Sequence, residues 1–376
     1  MKNINIKTLL LLGTFITTIT IKTASKEEIF EGSDEVEIPL VATFDNENFH
    51  NGRIRSIACS PNKTVALADG LGIMRIYDIN TQELITSIDT DQRLTNALAF
   101  SPDGKFIAAG TTKNTIVIYD VETKECINTL GEPTVDNVLA QHGFNIIVFS
   151  DDSRFLTAGC LKYPEGHIKL WEKNGDETYS PIDLQNKKLS TYWVYALAFN
   201  PDGNILGVSS IKQGKNDPSA TTDITMWNTS TGKTKAVIDL NHFDESIPTS
   251  LTFNPDKSLM SEQQNEVKIW RPSNKNNYEC SKHFEFKENE RSYPWTVLPS
   301  AISHSGQLFA GCFRNEFIEL WDVNTRQHLA SLEPLNKKAI NFIFSPDENY
   351  FLVQFKDTSV KIFDISALNF DRKLYD

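Results

Sequence analysis

The chain has little of what metal and catalytic sites are usually built from. Its five cysteines (Cys59, Cys126, Cys160, Cys280 and Cys312) form an odd, widely spaced set without a C-x-x-C pair or Cys/His ligand spacing. That excludes the familiar zinc patterns and a dense disulfide framework. An exporting compartment would still permit one bridge, and the spacing selects no pair. The seven histidines are scattered, so no sequence-local metal site exists. Neither G-x-S-x-G nor H-E-x-x-H occurs. Gly232-Lys233-Thr234 has the look of a phosphate-loop end, but Trp227 stands where the first glycine belongs. Asp69-Gly70-Leu71-Gly72 is not followed by a helical pattern and reads as a hairpin turn. No catalytic residue, metal or cofactor is expected.

A basic balance is missing too. The formal charge is -12, and removing Lys2, Lys7 and Lys22 with an N-terminal segment would make it more negative. Binding to nucleic acid or an anionic membrane through the net field is therefore not expected. The same charge serves solubility and gives a weak preference for a basic partner. Hydrophobic content of 40% with 23% charged residues is that of a soluble chain with a core.

The N-terminus departs from the rest. Lys2 and Lys7 precede an apolar stretch from Leu9 to Ile21, and Lys22-Thr23-Ala24-Ser25 follows. A positive start, a short apolar middle and small residues after it are the layout of a secretory signal. Residues 1–25 are expected to be removed, with residues 26–35 as a linker. The stretch is short for a membrane span, so no stable membrane insertion is expected after cleavage. The alternative is an uncleaved anchor, or a cytoplasmic protein whose N-terminus only resembles a signal.

What the chain has in plenty is repetition. A turn recurs as Ser60-Pro61-Asn62, Ser101-Pro102-Asp103-Gly104, Ser150-Asp151-Asp152, Asn200-Pro201-Asp202-Gly203, Asn254-Pro255-Asp256, Ser303-His304-Ser305-Gly306 and Ser345-Pro346-Asp347. An aromatic follows each as Tyr77, Tyr119, Trp171, Trp227, Trp270, Trp321 and Phe363, usually with Asp next. Steps of about forty to fifty-five residues mark a repeat array. Phe106-Ile107-Ala108-Ala109-Gly110 is a nearly continuous apolar run, as expected of a strand covered on both faces. Ile168-Lys169-Leu170-Trp171, Val267-Lys268-Ile269-Trp270 and Val360-Lys361-Ile362-Phe363 alternate, which places their charges in the outward phase.

This pattern resembles the WD-repeat family of β-propellers, in which each repeat builds one four-stranded blade. Trp321-Asp322 is the family dipeptide; Tyr77-Asp78, Tyr119-Asp120 and Phe363-Asp364 are close variants. The resemblance implies an all-β, seven-bladed propeller over residues 36–366, with a short tail at 367–376. It also implies that partners dock on one rim. The family's Gly-His pair is missing, although His50 and His242 lie in the corresponding connectors, so the hydrogen-bonded tetrad that braces many family blades is in doubt. Packing must then carry more of the stability. Pro39-Leu40-Val41-Ala42-Thr43-Phe44 aligns with outer strands such as Leu84-Ile85-Thr86-Ser87-Ile88. It is expected to supply the outer strand of the last blade, a role for which the C-terminal tail is the rival.

Long, variable connectors fall at 131–143, 161–167, 185–193, 211–222, 241–248 and 284–296, all on one face of such a ring. Insertions gathered on one rim mark a working surface. Tyr192, Trp193, Tyr293 and Trp295 are the candidate contact residues, with Tyr163 and His167 in a shorter insertion of the same type. The alternative is that the tryptophans fold back over blade edges. The reading is a monomeric, non-catalytic scaffold, exported to a periplasmic, secreted or secretory-lumen location, that binds a protein or peptide. Its rivals are a propeller enzyme with residues converging at the channel mouth and a cytoplasmic scaffold.

Overall fold

The computed structural model describes residues 38–45, 53–90, 94–131, 144–160, 168–184, 192–212, 221–240, 248–263, 266–273, 277–285, 299–312, 318–332 and 337–368. The expected signal and linker lie outside them. The described chain forms seven antiparallel sheets of four strands each. The innermost strands are Ile54–Cys59, Leu94–Phe100, Ile146–Phe149, Tyr192–Phe199, Ser250–Phe253, Ser300–Ile302 and Ala339–Phe344, in blades one to seven. Each contacts the next, and Ala339–Phe344 contacts Ile54–Cys59, so the ring closes.

The recurrent turn is explained by its own hydrogen bonds. In blade two the Ser101 hydroxyl accepts from the Phe106 N–H (2.9 Å) and donates to Asp103 Oδ1 (2.5 Å), which also accepts from the Lys105 N–H (3.0 Å). Ser150 with Asp152 and Ser345 with Asp347 repeat this unit. Asn200 accepts in the same way from the Ile205 N–H at 2.8 Å. Each turn thus satisfies the first N–H of the second strand from within its own motif. The Asp after the aromatic does the equivalent at the next turn. Asp78 Oδ1 accepts from the N–H groups of Asn80 and Thr81, and Asp120 Oδ1 from those of Glu122 and Thr123.

The second strands are buried throughout; Phe106–Thr111 shows no exposed residue. There are seven apolar clusters, each drawn from two adjacent blades, so the core lies in the seams between sheets. Cys160 and Cys312 are both buried, Cys312 within the seam between blades six and seven. Burial, with the nearby Asp347 charge, pushes the Cys59 thiol up to about 12.

One expectation needs correction. Lys268 does not point outward. It is buried, and its ammonium lies 2.9 Å from Glu266 Oε2. Both faces of the third strand are covered by neighbouring blades, with Trp270 packed among blade-four residues and Ile269 among blade-six residues.

Closure is as the alignment suggested. The strand Leu40–Phe44 pairs antiparallel with Val360–Asp364, with Thr43 opposite Lys361 and Phe44 opposite Val360. The first described strand therefore completes the last blade. The beginning of the tail turns instead into a short 3-10 segment, Ser366–Leu368, whose Leu368 is buried. The family tetrad survives in part. Trp270 Nε1 donates to the Ser261 hydroxyl at 2.8 Å in blade five. At the register equivalent of Ser261 the other blades carry Leu67, Ala109, Ala158, Val208, Gly311 and Val353. Trp227 Nε1 is buried without a hydrogen-bond partner among the described residues, in keeping with Val208 offering no side-chain acceptor.

Candidate functional surfaces of the ring

Antiparallel order sends the first-to-second and third-to-fourth strand turns to one face. The second-to-third hairpins and the blade-to-blade connectors leave from the other. The six long connectors foreseen in the sequence fall between strands that end on that second face.

On the short-turn face the seven recurrent turns converge near the ring centre and touch across the seams. Glu348 of blade seven accepts from the Ser305 N–H (2.6 Å) and hydroxyl (3.0 Å) of blade six, and Lys257 pairs with Asp202 at 2.5 Å. The second position of the turn is proline in five blades; blades three and six carry Asp151 and His304 instead. These two meet, with His304 Nε2 3.7 Å from Asp151 Oδ2. Burial raises the Asp151 carboxyl above its ordinary value, against the pull of His304, and Asp152 adds to the rise. Beside them runs an open groove between blades two and three, lined by Asp103, Asp152, Arg154 and Lys173 among others. Its cations face carboxylates already: Lys173 lies 3.6 Å from Glu177, and Arg154 3.9 Å from Glu172.

On the long-loop face the innermost strands are bulged. Register shifts in blades one, four and seven skip Arg55, Tyr195 and Ile340. A bulge removes one residue from the ladder and re-aims its side chain. Arg55 and Ile340 are exposed, Ile340 to 47%. Tyr195 is half-buried, and burial raises its phenol above the ordinary value. Tyr192 opens the innermost strand of blade four, opposite Lys212; Trp193 follows it opposite Ile211 and is 39% exposed. Both belong to the strand rather than to the connector before it. Tyr163, His167, Tyr293 and Trp295 lie outside the described residues. Leu71, in the blade-one hairpin, is 58% exposed at the same face.

A group that linear reading missed lies on the outer strands of blade five, where ligand atoms of Glu266, His283 and Glu285 fall within 4.8 Å of one another. Cross-strand register assembles it, Glu266 facing Glu285 and Lys268 facing His283. Such a donor set suits a divalent cation, but the Lys268 ammonium already occupies one carboxylate.

A closed ring of four-stranded blades with two rims, one of short turns and one of long connectors, defines a β-propeller. The model of the anaphase-promoting complex subunit 4 WD40 domain matches residues 89–139. Pre-mRNA-processing factor 19 of Dictyostelium discoideum is 28% identical over 141 residues, which are 37% of this chain and 25% of that protein. The small ribosomal subunit protein RACK1y of Oryza sativa subsp. japonica is 26% identical over 133 residues, 35% of this chain and 38% of that one. The chain thus spans a quarter to about two fifths of the length of these relatives. The β-propeller domain of Cps50 (Swd1) from Myceliophteria thermophila superposes with a TM-score of 0.64 at 12% identity, covering 88% of this chain and 100% of that one. With its in-phase aromatic-Asp repeats and seven four-stranded blades, this chain is similar to the WD-repeat propellers.

Proposed function

We propose that the protein is a non-catalytic scaffold that holds a protein or peptide partner against its long-loop face, and that it works outside the cytoplasm after losing residues 1–25. The observation that carries the choice of face is the set of bulges. They turn side chains of three innermost strands out of the ladder, where Arg55 and Ile340 stand exposed, with Leu71 in blade one and Trp193 across the ring in blade four exposed on the same face. A rigid ring presenting such residues binds at little ordering cost. Names among the relatives support the scaffold part, since a small ribosomal subunit protein and an anaphase-promoting complex subunit are parts of larger assemblies. The export part is supported by the layout of residues 2–25 alone.

A photo-crosslinking residue placed in turn at Trp193, Leu71 and Ile340, and at Gln82, Lys124 and Arg326 on the short-turn face, tests the choice in the native host. Cross-links to a discrete protein from the first set only are expected. Cross-links from the second set only, or from neither, overturn it. N-terminal sequencing of the same material should find a chain beginning near Lys26 outside the cytoplasm; an intact Met1 in the cytoplasmic fraction would refute export.

A further inference from the structure

We propose that the seam between blades seven and one, on the long-loop face, docks an acidic peptide segment bearing an apolar side chain. The proposal rests on the scaffold reading above and names the chemistry of its partner. Arg53 and Arg55 flank Ile54 at the start of the blade-one inner strand, and all of Arg53, Arg55, Lys338 and Lys356 are exposed. Two hydrogen bonds bring the elements together: the Gln354 amide donates to the Ile54 carbonyl (3.3 Å), and the Lys356 N–H donates to the Lys338 carbonyl (2.8 Å). The four cations come from two distant parts of the chain, on or beside strands of the two blades that meet at this seam.

None of the four side chains has an ion pair or hydrogen bond among the described residues. The neighbouring carboxylates are engaged elsewhere. Asp69 accepts from the N–H groups of Leu71, Gly72 and Ile73 and faces Arg75 at 3.2 Å. Asp357 holds Lys337 at 2.6 Å and the Ser359 hydroxyl at 2.6 Å, while Asp45 and Asp89 have interactions of their own.

The net charge of -12 favours a basic partner at long range. At physiological salt the Debye length is about 8 Å, so a ligand seated on the seam responds chiefly to the charges beside it. Exposed Ile340 and Leu71 lie at this face and offer apolar contact. A polyanion needs a longer cationic track than four residues and would also meet the acidic remainder of the chain. A short acidic segment fits better, its carboxylates meeting the cations and one apolar side chain meeting Ile340.

The test uses fluorescence anisotropy with the whole chain and the labelled peptide Glu-Glu-Asp-Leu-Glu-Asp-Glu-Glu. Comparison ligands are its Gln/Asn counterpart, the same acidic peptide with Ser for Leu, an oligothymidine of similar length and phosphatidylserine vesicles. The acidic peptide is expected to bind, to weaken with salt, and to lose roughly tenfold or more in affinity with the Arg55→Glu/Lys338→Glu double variant. Lys124→Glu, on the short-turn face, should leave it unchanged, and thermal unfolding checks that every variant is folded. Equal binding of the acidic and Gln/Asn peptides, undiminished binding by the double variant, or tighter binding of the oligothymidine or vesicles overturns the proposal. Equal binding of the Ser peptide overturns its apolar half. Cross-links from Trp193 and Leu71 that persist while the acidic peptide fails would sink the seam proposal and leave the scaffold reading standing. Seam-dependent peptide binding without partner cross-links from that face would do the reverse.

Discussion

Phe44 is where ring closure can be put to the test. Its side chain is 3% exposed and lies with Ile54, Ile57, Leu352, Val360 and Ile362 in the seam between blades seven and one. Its ring centroid is 4.7 Å from that of Tyr77. Replacing it with alanine removes a buried aromatic and leaves a cavity, which in well-packed cores costs about 3–5 kcal/mol. A domain's net stability is roughly 5–15 kcal/mol, so the effect is large. The location adds a second signature. The strand Leu40–Phe44 reaches the last blade from the far end of the chain, so weakening it should detach the strand and expose the edge of Val360–Asp364. Urea unfolding measures the first effect and amide exchange the second. Leu332→Ala, in the outer strand of blade six, is the control, because that strand follows its neighbour through a short turn. For Phe44→Ala the midpoint should fall, and protection should be lost first at the amides of both clasp strands. A cost below about 1 kcal/mol, with those amides as protected as in the wild type, would refute the clasp.

Other consequences can be checked on the same protein. Ser261→Ala strands the Trp270 indole N–H and should cost about 1–3 kcal/mol in urea unfolding. Val208→Thr offers an acceptor to the buried Trp227 Nε1 and should therefore cost less than Val353→Thr, where the facing aromatic is Phe363; the opposite order would contradict the register argument. Gly232 has φ +64°, a conformation that Gln82, Lys124 and Arg326 tolerate at the equivalent turn, but a Cβ on it would run into the Asp183 carbonyl. Gly232→Ala should thus lower the melting temperature, while Gly175→Ala, with open space around it, should stay within about 0.5 kcal/mol of wild type. For Asp103, Asp256, Asp347 and Asp357, burial alone would raise the carboxyls, but hydroxyl and amide hydrogen bonds and nearby cations outweigh it, and all four are held below the ordinary value. Their folded-state pKa is below the unfolded one, so their stabilisation is present above the unfolded value and lost as pH falls towards about 2, the Asp357 value. Urea midpoints should therefore drop between about pH 4 and 2, and less steeply in Asp357→Asn; a flat profile would contradict the assignment.

Much of the architecture was legible because its determinants are local. The Ser-x-Asp turn and the aromatic-Asp turn close on themselves within a few residues, so they and their variants mark the same strand ends from blade to blade. The clasp was legible because Leu40–Phe44 carries an outer-strand pattern with no blade of its own. Lys268 was misplaced because alternation reports two faces of a strand but not which of them a neighbouring blade covers. Of the candidate contact residues, Tyr192 and Trp193 fall at the start of an inner strand, a position that depends on where pairing with Ile211 and Lys212 begins.

The sequence by itself determined the number of blades, their turn chemistry and the strand that closes the ring, since each depends on hydrogen bonds and side-chain patterns within one repeat. Only the tertiary structure decided what the faces present. Asp151 and His304 stand where five other turns have proline, and they became a pair only when the ring brought blades three and six together. Arg53, Arg55, Lys338 and Lys356 became one cationic seam because closure seats the last blade against the first. Charge acts through space over about a Debye length, and the distance along the chain does not enter.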